Sequence, residues 1–213
     1  MADQAFRLDM TMMYAVHDAL RRELERIARI AARVGDDPRQ VLSTAVGWEI
    51  FKAYLRVHHT SEDDAVWPAM YQVLAERPDD LALLDAMEAE HAAIDPALEA
   101  IDAALADPNS GPGGLGDLAD SLVTVLAAHL KHEESEGLAL MDATLTAQQW
   151  QHFADVHRER IGTDARRYLP WLLDSAPEAT ASAVLRFMPE QIRSAYSADW
   201  KPAYDRLSLW NGA

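Results

Sequence analysis

Residues 58–64 read HHTSEDD and residues 129–134 read HLKHEE, so a glutamate follows a histidine by four positions in both places. Four positions are about one turn of an α-helix, so the two side chains of each pair share one helix face. That face also carries the apolar residues of a predicted core. Histidine and glutamate on such a face predict a shared polar partner, because burying either group unpaired costs free energy.

Two further histidines extend this pattern along the chain. His17 precedes His58 by 41 residues, and His91 precedes His129 by 38 residues. The chain therefore repeats a helical hairpin whose first helix gives one histidine and whose second gives a histidine and a glutamate. With a rise of about 1.5 Å per residue, the histidines lie about 27 and 30 Å from the first hairpin turn and about 24 and 20 Å from the second. The matching depths predict one common layer.

Apolar residues recur at helical spacing in four long stretches, and strand-like alternation is almost absent. They predict four helices, over about 9–34, 38–66, 81–107 and 118–140. Pro96 should bend the third helix, the glycines within 111–116 predict a flexible loop, and the fourth helix should weaken at Gly137. The predicted fold class is all-α, with an up-down-up-down four-helix bundle as its architecture.

A fifth helix is predicted over 146–168, because Thr146-Ala147-Gln148-Gln149 has the form of a capping box. Beyond it, residues 170–213 combine four prolines with three tryptophans, which favours short helical turns. Aromatic residues at this density predict an ordered segment that covers a core. We therefore divide the chain into a bundle over 1–145 and a C-terminal helical extension over 146–213 that packs on it.

Composition excludes several classes of partner. The 213 residues include 35 Asp and Glu against 19 Lys and Arg, and the formal net charge of −16 repels nucleic acids and anionic membrane surfaces. The absence of cysteine excludes disulfides, thiolate nucleophiles and cysteine-ligated metals, and it favours the cytoplasm. The sequence predicts neither a signal peptide nor a membrane-spanning stretch. Only three of the 19 basic residues are lysine, which is typical of a GC-rich bacterial genome.

The polar residues on the predicted core faces indicate a metal centre. They are His17, His58, Glu62, His91, His129 and Glu133. Four imidazoles and two carboxylates suit a pair of first-row transition ions with bridging carboxylates, and iron above all. Calcium and magnesium prefer more oxygen ligands. A ferritin-like centre would need Glu-x-x-His twice, and only Glu88 with His91 fits that motif.

Four segments together resemble the hemerythrin-like, HHE cation-binding family. They are His17, HHTSED at 58–63, Glu90-His91 and HLKHEE at 129–134. The resemblance covers residues 8–140. It implies a four-helix bundle around a non-haem pair of iron ions, joined by an oxo or hydroxo bridge, that binds O₂ or related small ligands. It also implies that the six residues of the predicted centre are the iron ligands.

One position departs from that family. Oxygen-carrying hemerythrins have His-x-x-x-His on the third helix, whereas this chain has His91 followed by Asp95. The missing imidazole argues against simple oxygen transport. If both glutamates bridge and one oxygen bridge is shared, about two positions stay open on two octahedral ions. Diatomic molecules or peroxide fit such positions, so a redox or sensing role is favoured over transport.

Three functions stay open on the sequence. The first is a protein that binds or senses O₂, NO or iron itself through a di-iron centre. The second is an enzyme that consumes peroxide at that centre, in the manner of a catalase or peroxidase. The third is a helical interaction module in which the metal is structural and the tryptophan-rich tail meets a protein partner. The open coordination positions argue against the third.

Further residues near the predicted centre have competing interpretations. His59 points about 100° away from His58 around the helix, so it is predicted to support the site or to face solvent. His132 shares a face with His129 and is a weaker candidate ligand. Two histidines on the fifth helix are predicted to be structural: His152 and His157. Four acidic residues are predicted to form a solvated rim: Asp63, Asp64, Glu134 and Glu136.

Three more residues lie near the predicted ligand layer: Tyr14, Tyr54 and Asp95. If a tyrosine hydroxyl points inward, it can donate a proton to bound peroxide, which favours turnover over reversible carriage. The Asp95 carboxylate can add a ligand if Pro96 directs it inward.

Overall fold

A computed structural model describes residues 6–32, 38–107 and 112–210 of the chain. Within these ranges the regular elements are all helical, which confirms the all-α prediction. The α-helices are α1 (Thr11–Ala31), α2 (Pro38–Thr44), α3 (Val46–Ala65), α4 (Trp67–Val73), α5 (Pro78–Ala106), α6 (Pro112–His132), α7 (Leu138–Thr144), α8 (Ala147–Ile161), α9 (Ala165–Leu173), α10 (Glu178–Arg186), α11 (Glu190–Ala195) and α12 (Lys201–Tyr204). Helices of the described residues are too short or too polar to cross a membrane.

The first and third predicted helices correspond to α1 and α5. The predicted stop of the first helix at Gly35 lies outside the described residues, and α1 ends at Ala31. α5 runs through Pro96 without ending there. Both helices carry a buried apolar stripe with one histidine in it, as the spacing predicted.

The second predicted helix, over 38–66, is wrong as a single element. The chain is extended at Ala45 (φ −77°, ψ 113°), which separates α2 from α3. The Gly47 N–H donates to the Leu209 carbonyl at 2.7 Å, and a Cβ at Gly47 would lie 2.4 Å from the Trp210 ring. The break therefore occurs where the end of the chain packs against the start of α3.

The glycine-rich loop predicted over 111–116 is also corrected. α6 already begins at Pro112, and a proline suits the first turn because that turn needs no backbone donor. Gly114 lies within the helix, where a Cβ would meet no neighbouring atom within 4 Å. Residues 108–111 lie outside the described ranges. The weakening predicted at Gly137 is present as a π-helical turn over Glu133–Gly137, between α6 and α7.

Two clusters of buried apolar side chains fill the interior. The larger cluster includes Leu20, Leu55, Ile94 and Leu126. The smaller cluster includes Met13, Ala65, Met87 and Leu138. Along the chain, α1 and α5 pass from the smaller cluster to the larger, whereas α3 and α6 pass from the larger toward the smaller. The region between the clusters is where the predicted histidines and glutamates lie.

The C-terminal helices lie against the long ones. The Thr146 hydroxyl accepts a hydrogen bond from the Gln149 N–H at 3.2 Å, and the Gln149 side chain accepts one from the Thr146 N–H at 2.8 Å, which confirms the capping box. α8 packs on α3, while α9 and α10 pack on α1. The predicted end of the fifth helix at residue 168 is wrong. α8 stops at Ile161, because Gly162 adopts a positive φ of 51°.

A buried carboxylate in α1 anchors the end of the chain. Glu23 is fully buried and accepts a hydrogen bond from the Trp210 indole N–H at 2.9 Å. The guanidinium groups of Arg22 and Arg26 donate to its other oxygen at 2.7 and 2.9 Å. Arg26 also pairs with Asp174 at 2.9 Å, so two guanidinium groups face two carboxylates and the buried charge of Glu23 is compensated.

Candidate metal centre

Six polar side chains from four helices meet between the two apolar clusters. They are His17 of α1, His58 and Glu62 of α3, His91 of α5, His129 of α6 and Glu133 of the following π turn. None of the six is more than 7% exposed. These are the residues that the sequence predicted as ligands, and the structure brings all six together.

The π turn positions one of the carboxylates. A π turn inserts an extra residue into a helix and is often found at functional sites. Here it begins at Glu133, and a Cβ at Gly137 would lie 3.1 Å from the Glu133 Cγ atom. The glycine therefore leaves the space in which the Glu133 side chain lies.

The four imidazoles form two pairs. The Nε2 atoms of His17 and His58 lie 3.1 Å apart, and the Nε2 atoms of His91 and His129 also lie 3.1 Å apart. Two nitrogens at this separation can bind one metal ion, since ligand nitrogens about 2.1 Å from an ion are about 3 Å from each other. We call these pairs the N-terminal pair and the C-terminal pair.

Each glutamate reaches both pairs. The Glu62 oxygens lie 3.5 Å from His58 Nε2 and 3.7 Å from His91 Nε2. Glu133 Oε2 lies 3.2 Å from His17 Nε2 and 3.8 Å from His129 Nε2. All four carboxylate oxygens are buried, and within the described residues none accepts a hydrogen bond of good geometry. Such orphaned oxygens are costly unless a cation joins them.

The outward nitrogens of three imidazoles meet carboxylates, which fixes the orientation of the rings. His17 Nδ1 lies 2.9 Å from Glu134, His91 Nδ1 lies 2.7 Å from Asp63, and His129 Nδ1 lies 3.0 Å from Glu90. Glu134 also pairs with Arg21 at 2.8 Å. Carboxylates placed in this way are typical partners of metal-binding histidines.

The orienting role of these carboxylates was not predicted. Asp63 and Glu134 were predicted to form a solvated rim, and both are partly exposed, but each also contacts a ligand imidazole. A signal was present, because Asp63 follows Glu62, Glu134 follows Glu133, and Glu90 precedes a predicted ligand. Asp64 and Glu136 are exposed, as the rim prediction required, although Asp64 pairs with Arg160.

The protonation of the metal-free centre follows from its burial and its charges. Burial opposes a charge on His17, but Glu133 and Glu134 outweigh it and raise the pKa of this imidazole to about 9. Burial and the neighbouring Glu133 raise the pKa of the Glu62 carboxyl well above its usual range. Burial lowers the pKa of His58 and of His129. Metal binding therefore displaces protons from His17 and Glu62, whereas His58 and His129 are already in the neutral form that ligates.

His59 lies inside the protein, so the prediction that it faces solvent is wrong. It is 6% exposed, and its ring stacks on the His91 ring with centroids 4.0 Å apart. One ring nitrogen of each of His59, His91 and His129 falls within 4.8 Å of the other two. Burial and the neighbouring His91 lower the pKa of the His59 imidazole.

A pocket of about 250 Å³ reaches His91 of the C-terminal pair. It lies between α3 and α5, with His59 and His91 among its lining residues. Arg56 and Asp95, which also line it, form an ion pair at 3.4 Å. Within the described residues, this pocket adjoins the C-terminal side of the centre through His59 and His91.

The three additional candidates do not take up the roles considered for them. Tyr14 is 37% exposed and lies on the surface. Tyr54 is buried, and its hydroxyl donates to the Asp164 carboxylate at 2.6 Å. Asp95 is exposed and paired with Arg56. Neither a tyrosine proton donor nor a ligand from position 95 is therefore supported.

The remaining histidines lie around the centre. His132 Nδ1 lies 2.8 Å from Glu90, so this imidazole adjoins the carboxylate that orients His129. His152 is exposed on α8. His157 of the same helix packs on His58, with ring centroids 6.4 Å apart.

The arrangement fits two first-row transition ions. Each pair of Nε2 atoms offers a place for one ion, and the two buried glutamates reach both places. Nitrogen and oxygen donors in this mixture suit iron, manganese or zinc, whereas calcium and magnesium prefer oxygen alone. The described fold and donor set thus define an all-helical protein with a buried His/Glu cluster that could hold metal.

Comparison with known protein families assigns the chain to one of them. Residues 9–141 match the Hemerythrin HHE cation binding domain. This match spans more than half of the chain, so the chain belongs to the hemerythrin HHE cation-binding family and the suspected resemblance is confirmed. No significant match was found among curated proteins or among solved structures.

Proposed function

We propose that this protein is a non-haem di-iron protein that reacts with a small diatomic molecule or peroxide. The proposed iron ligands are His17, His58, Glu62, His91, His129 and Glu133. The observation that carries the proposal is that two buried glutamates with unpartnered oxygens each reach both histidine pairs. Two iron ions held there would supply one-electron exchange between Fe(II) and Fe(III) and open coordination positions for O₂, NO or peroxide.

The chain's own residues prepare this chemistry in two ways. Glu134, Asp63 and Glu90 orient three of the imidazoles, so that the Nε2 lone pairs converge on the centre. The two apolar clusters enclose the layer from above and below, which limits bulk water and large reductants.

A redox or sensing role is proposed over oxygen transport. The pocket at His59 and His91 has a volume of about 250 Å³, which is enough for small oxidants and reductants, and Arg56, Asp63 and Asp95 lie in its lining. Reversible carriage of O₂ needs a site shielded from proton leakage and side reactions. An enzyme that consumes peroxide is the second candidate, because the same pocket would admit peroxide to one side of the centre.

The test is the reaction of the iron-loaded, fully reduced protein with O₂, followed by visible absorption. We expect rapid oxidation that is not reversed by removing O₂. A stable adduct that survives many cycles of O₂ addition and removal would overturn the redox or sensing role. Peroxide consumption separates the two candidates. Many turnovers in the intact protein that are lost in the Glu62→Ala variant would identify the protein as an enzyme. A single turnover would favour the sensing role.

We further propose that α1, α3, α5 and α6 form an up-down-up-down bundle within residues 1–145, covered by an extension over 146–213. The alternating passage of the four helices between the two apolar clusters supports the bundle. The buried contact between Trp210 and Glu23 supports the cover. Limited proteolysis should leave the extension intact, and rapid trimming to a stable fragment ending near residue 145 would contradict the cover.

A further inference from the structure

His59 is a buried imidazole that is not one of the six proposed ligands, and one of its ring nitrogens has no partner among the described residues. Its Nε2 atom is buried and, within the described residues, makes no hydrogen bond. Asp63, one turn further along α3, directs its Oδ1 atom to His91 at 2.7 Å and to the Trp67 indole at 3.2 Å and not to His59. An unpaired buried nitrogen destabilises a fold, so a partner for it is required.

His58 and His59 are adjacent in α3 but serve opposite sides of the centre. The His58 ring lies 5.1 Å from the His17 ring, whereas the His59 ring lies 4.0 Å from His91 and 5.1 Å from His129. The rotation of about 100° between consecutive helical residues produces this division. His59 therefore joins the side that faces the pocket.

We propose that His59 is a third imidazole ligand at the C-terminal pair, so that one ion is held by two imidazoles and the other by three. This proposal rests on the proposed di-metal centre. His59, His91 and His129 each offer a nitrogen within 4.8 Å of the other two. The His59 ring, which stacks on His91 at an interplanar angle of 11°, turns out of that stack to direct its nitrogen at the ion. Because the two sides then differ in ligand number, the two ions should bind with unequal affinities, the tighter one at the three-imidazole side.

The direct test is a crystal structure of the wild-type protein loaded with Zn²⁺, with the ions located by anomalous scattering. We expect two ions, with His59 Nε2 about 2.1 Å from one of them. Two bound ions with His59 Nε2 more than 3 Å from both would overturn this inference and leave the di-metal centre intact. Failure to find two ions at Glu62 and Glu133 would overturn both proposals.

A solution test separates ligation from packing. His59→Phe keeps a ring that can stack on His91 but removes the nitrogen, so a merely structural role would survive the change. We expect Zn²⁺ titration of this variant to show one affinity lowered by about tenfold or more and the other nearly unchanged. Unchanged affinities for both ions in a variant with wild-type circular dichroism would overturn the proposal.

The matched control is His157→Phe. His157 is a half-buried imidazole whose Nε2 atom is buried and has no hydrogen-bond partner among the described residues. It packs on His58 but does not belong to either donor group. Both Zn²⁺ affinities should therefore stay at wild-type values in this control. If His59→Phe proves unfolded, the crystal structure of the wild-type protein decides the question alone.

Discussion

The two sides of the metal centre differ in how they are enclosed. At the N-terminal pair, His17 and His58 are at most 1% exposed, and α8 packs over α3 with His157 against His58. At the C-terminal pair, His91 is 7% exposed and lines a pocket between α3 and α5. We call the side of His17 and His58, which α8 covers, the sealed side. We call the side of His91 and His129, where the pocket reaches His91, the open side.

The two sides of the ligand layer also differ in the contacts around their histidines. On the sealed side, His17 pairs with Glu134, which in turn pairs with Arg21. On the open side, the described residues that line the pocket all come from α3 and α5. Glu62 and Glu133 lie close to histidines of both sides.

Removing a glutamate that reaches both histidine pairs should abolish metal binding at both sides at once. We expect Glu62→Ala to bind no metal where the wild-type protein binds two ions, because each ion loses a ligand and the remaining buried charges are unbalanced. His58→Ala and His129→Ala should lose at least one ion, and exposed His152→Ala should keep both. Elemental analysis gives the ions per chain. A Glu62→Ala protein that keeps one ion would show that the two sides are independent.

Chelation should destabilise the fold, because the buried donors then lose their cation. An ion present at about 1,000 times its dissociation constant stabilises the folded state by about 4 kcal/mol. For a chain of this size that corresponds to a rise of about 10 °C in Tm. Thermal melting before and after iron removal measures it. Equal Tm values with and without bound iron would contradict the coupling of metal binding to folding.

Substituting the glycine of the π turn should disturb the carboxylate beside it. A Cβ at Gly137 comes within 3.1 Å of Glu133 Cγ, so Gly137→Ala should shift this side chain and weaken metal binding by about tenfold. Gly114→Ala is the control, because its Cβ meets no atom within 4 Å. That change should leave metal affinity alone and stabilise α6 by roughly 0.5 kcal/mol. Competition with a chelator measures both affinities.

Filling the pocket should slow access to the open side alone. Ala92 lines the pocket, so Ala92→Phe narrows it and should reduce severalfold the rate at which azide changes the visible absorption of the iron-loaded protein. Ala93, equally exposed on α5 but outside the lining, provides the control Ala93→Phe. Stopped-flow absorption measures the rates. Equal slowing by both variants would place the access path elsewhere.

The sealed side should add a pH dependence to the stability of the metal-free protein. Burial and Arg160 lower the pKa of His157 to about 4 from its usual 6.5, so the unfolded chain takes up this proton first as the pH falls. The stability that neutral His157 contributes is complete above pH 6.5 and is lost between 6.5 and 4. His157→Phe should therefore flatten the fall in the free energy of unfolding over that range. Urea unfolding at several pH values tests this, and an unchanged slope would contradict it.

The spacing of polar residues within apolar stripes was sufficient to predict most of the centre. Helical periodicity assigns His58 and Glu62 to one face whatever the tertiary structure, and the same holds for His129 and Glu133. The capping box at Thr146 is equally local, since it depends on residues three positions apart. The sequence also established the all-α class, because its apolar period is that of a helix throughout.

The features that the sequence did not predict depend on contacts between distant segments. The break at Ala45 occurs where Trp210 packs on Gly47, and no local sequence pattern predicts that contact. The extension of α6 to Pro112 shows helical packing overriding the weak helical preference of glycine.

The rotation of His59 toward the centre was likewise decided by the tertiary structure. A residue 100° from a core stripe is buried or exposed according to which helix packs on that flank, and here α5 does. The chain by itself thus determined which residues share a helix face and what chemistry they offer. Only the tertiary structure decided which face meets which, and so which side of the centre is sealed, because burial is a property of the assembled helices and not of any one of them.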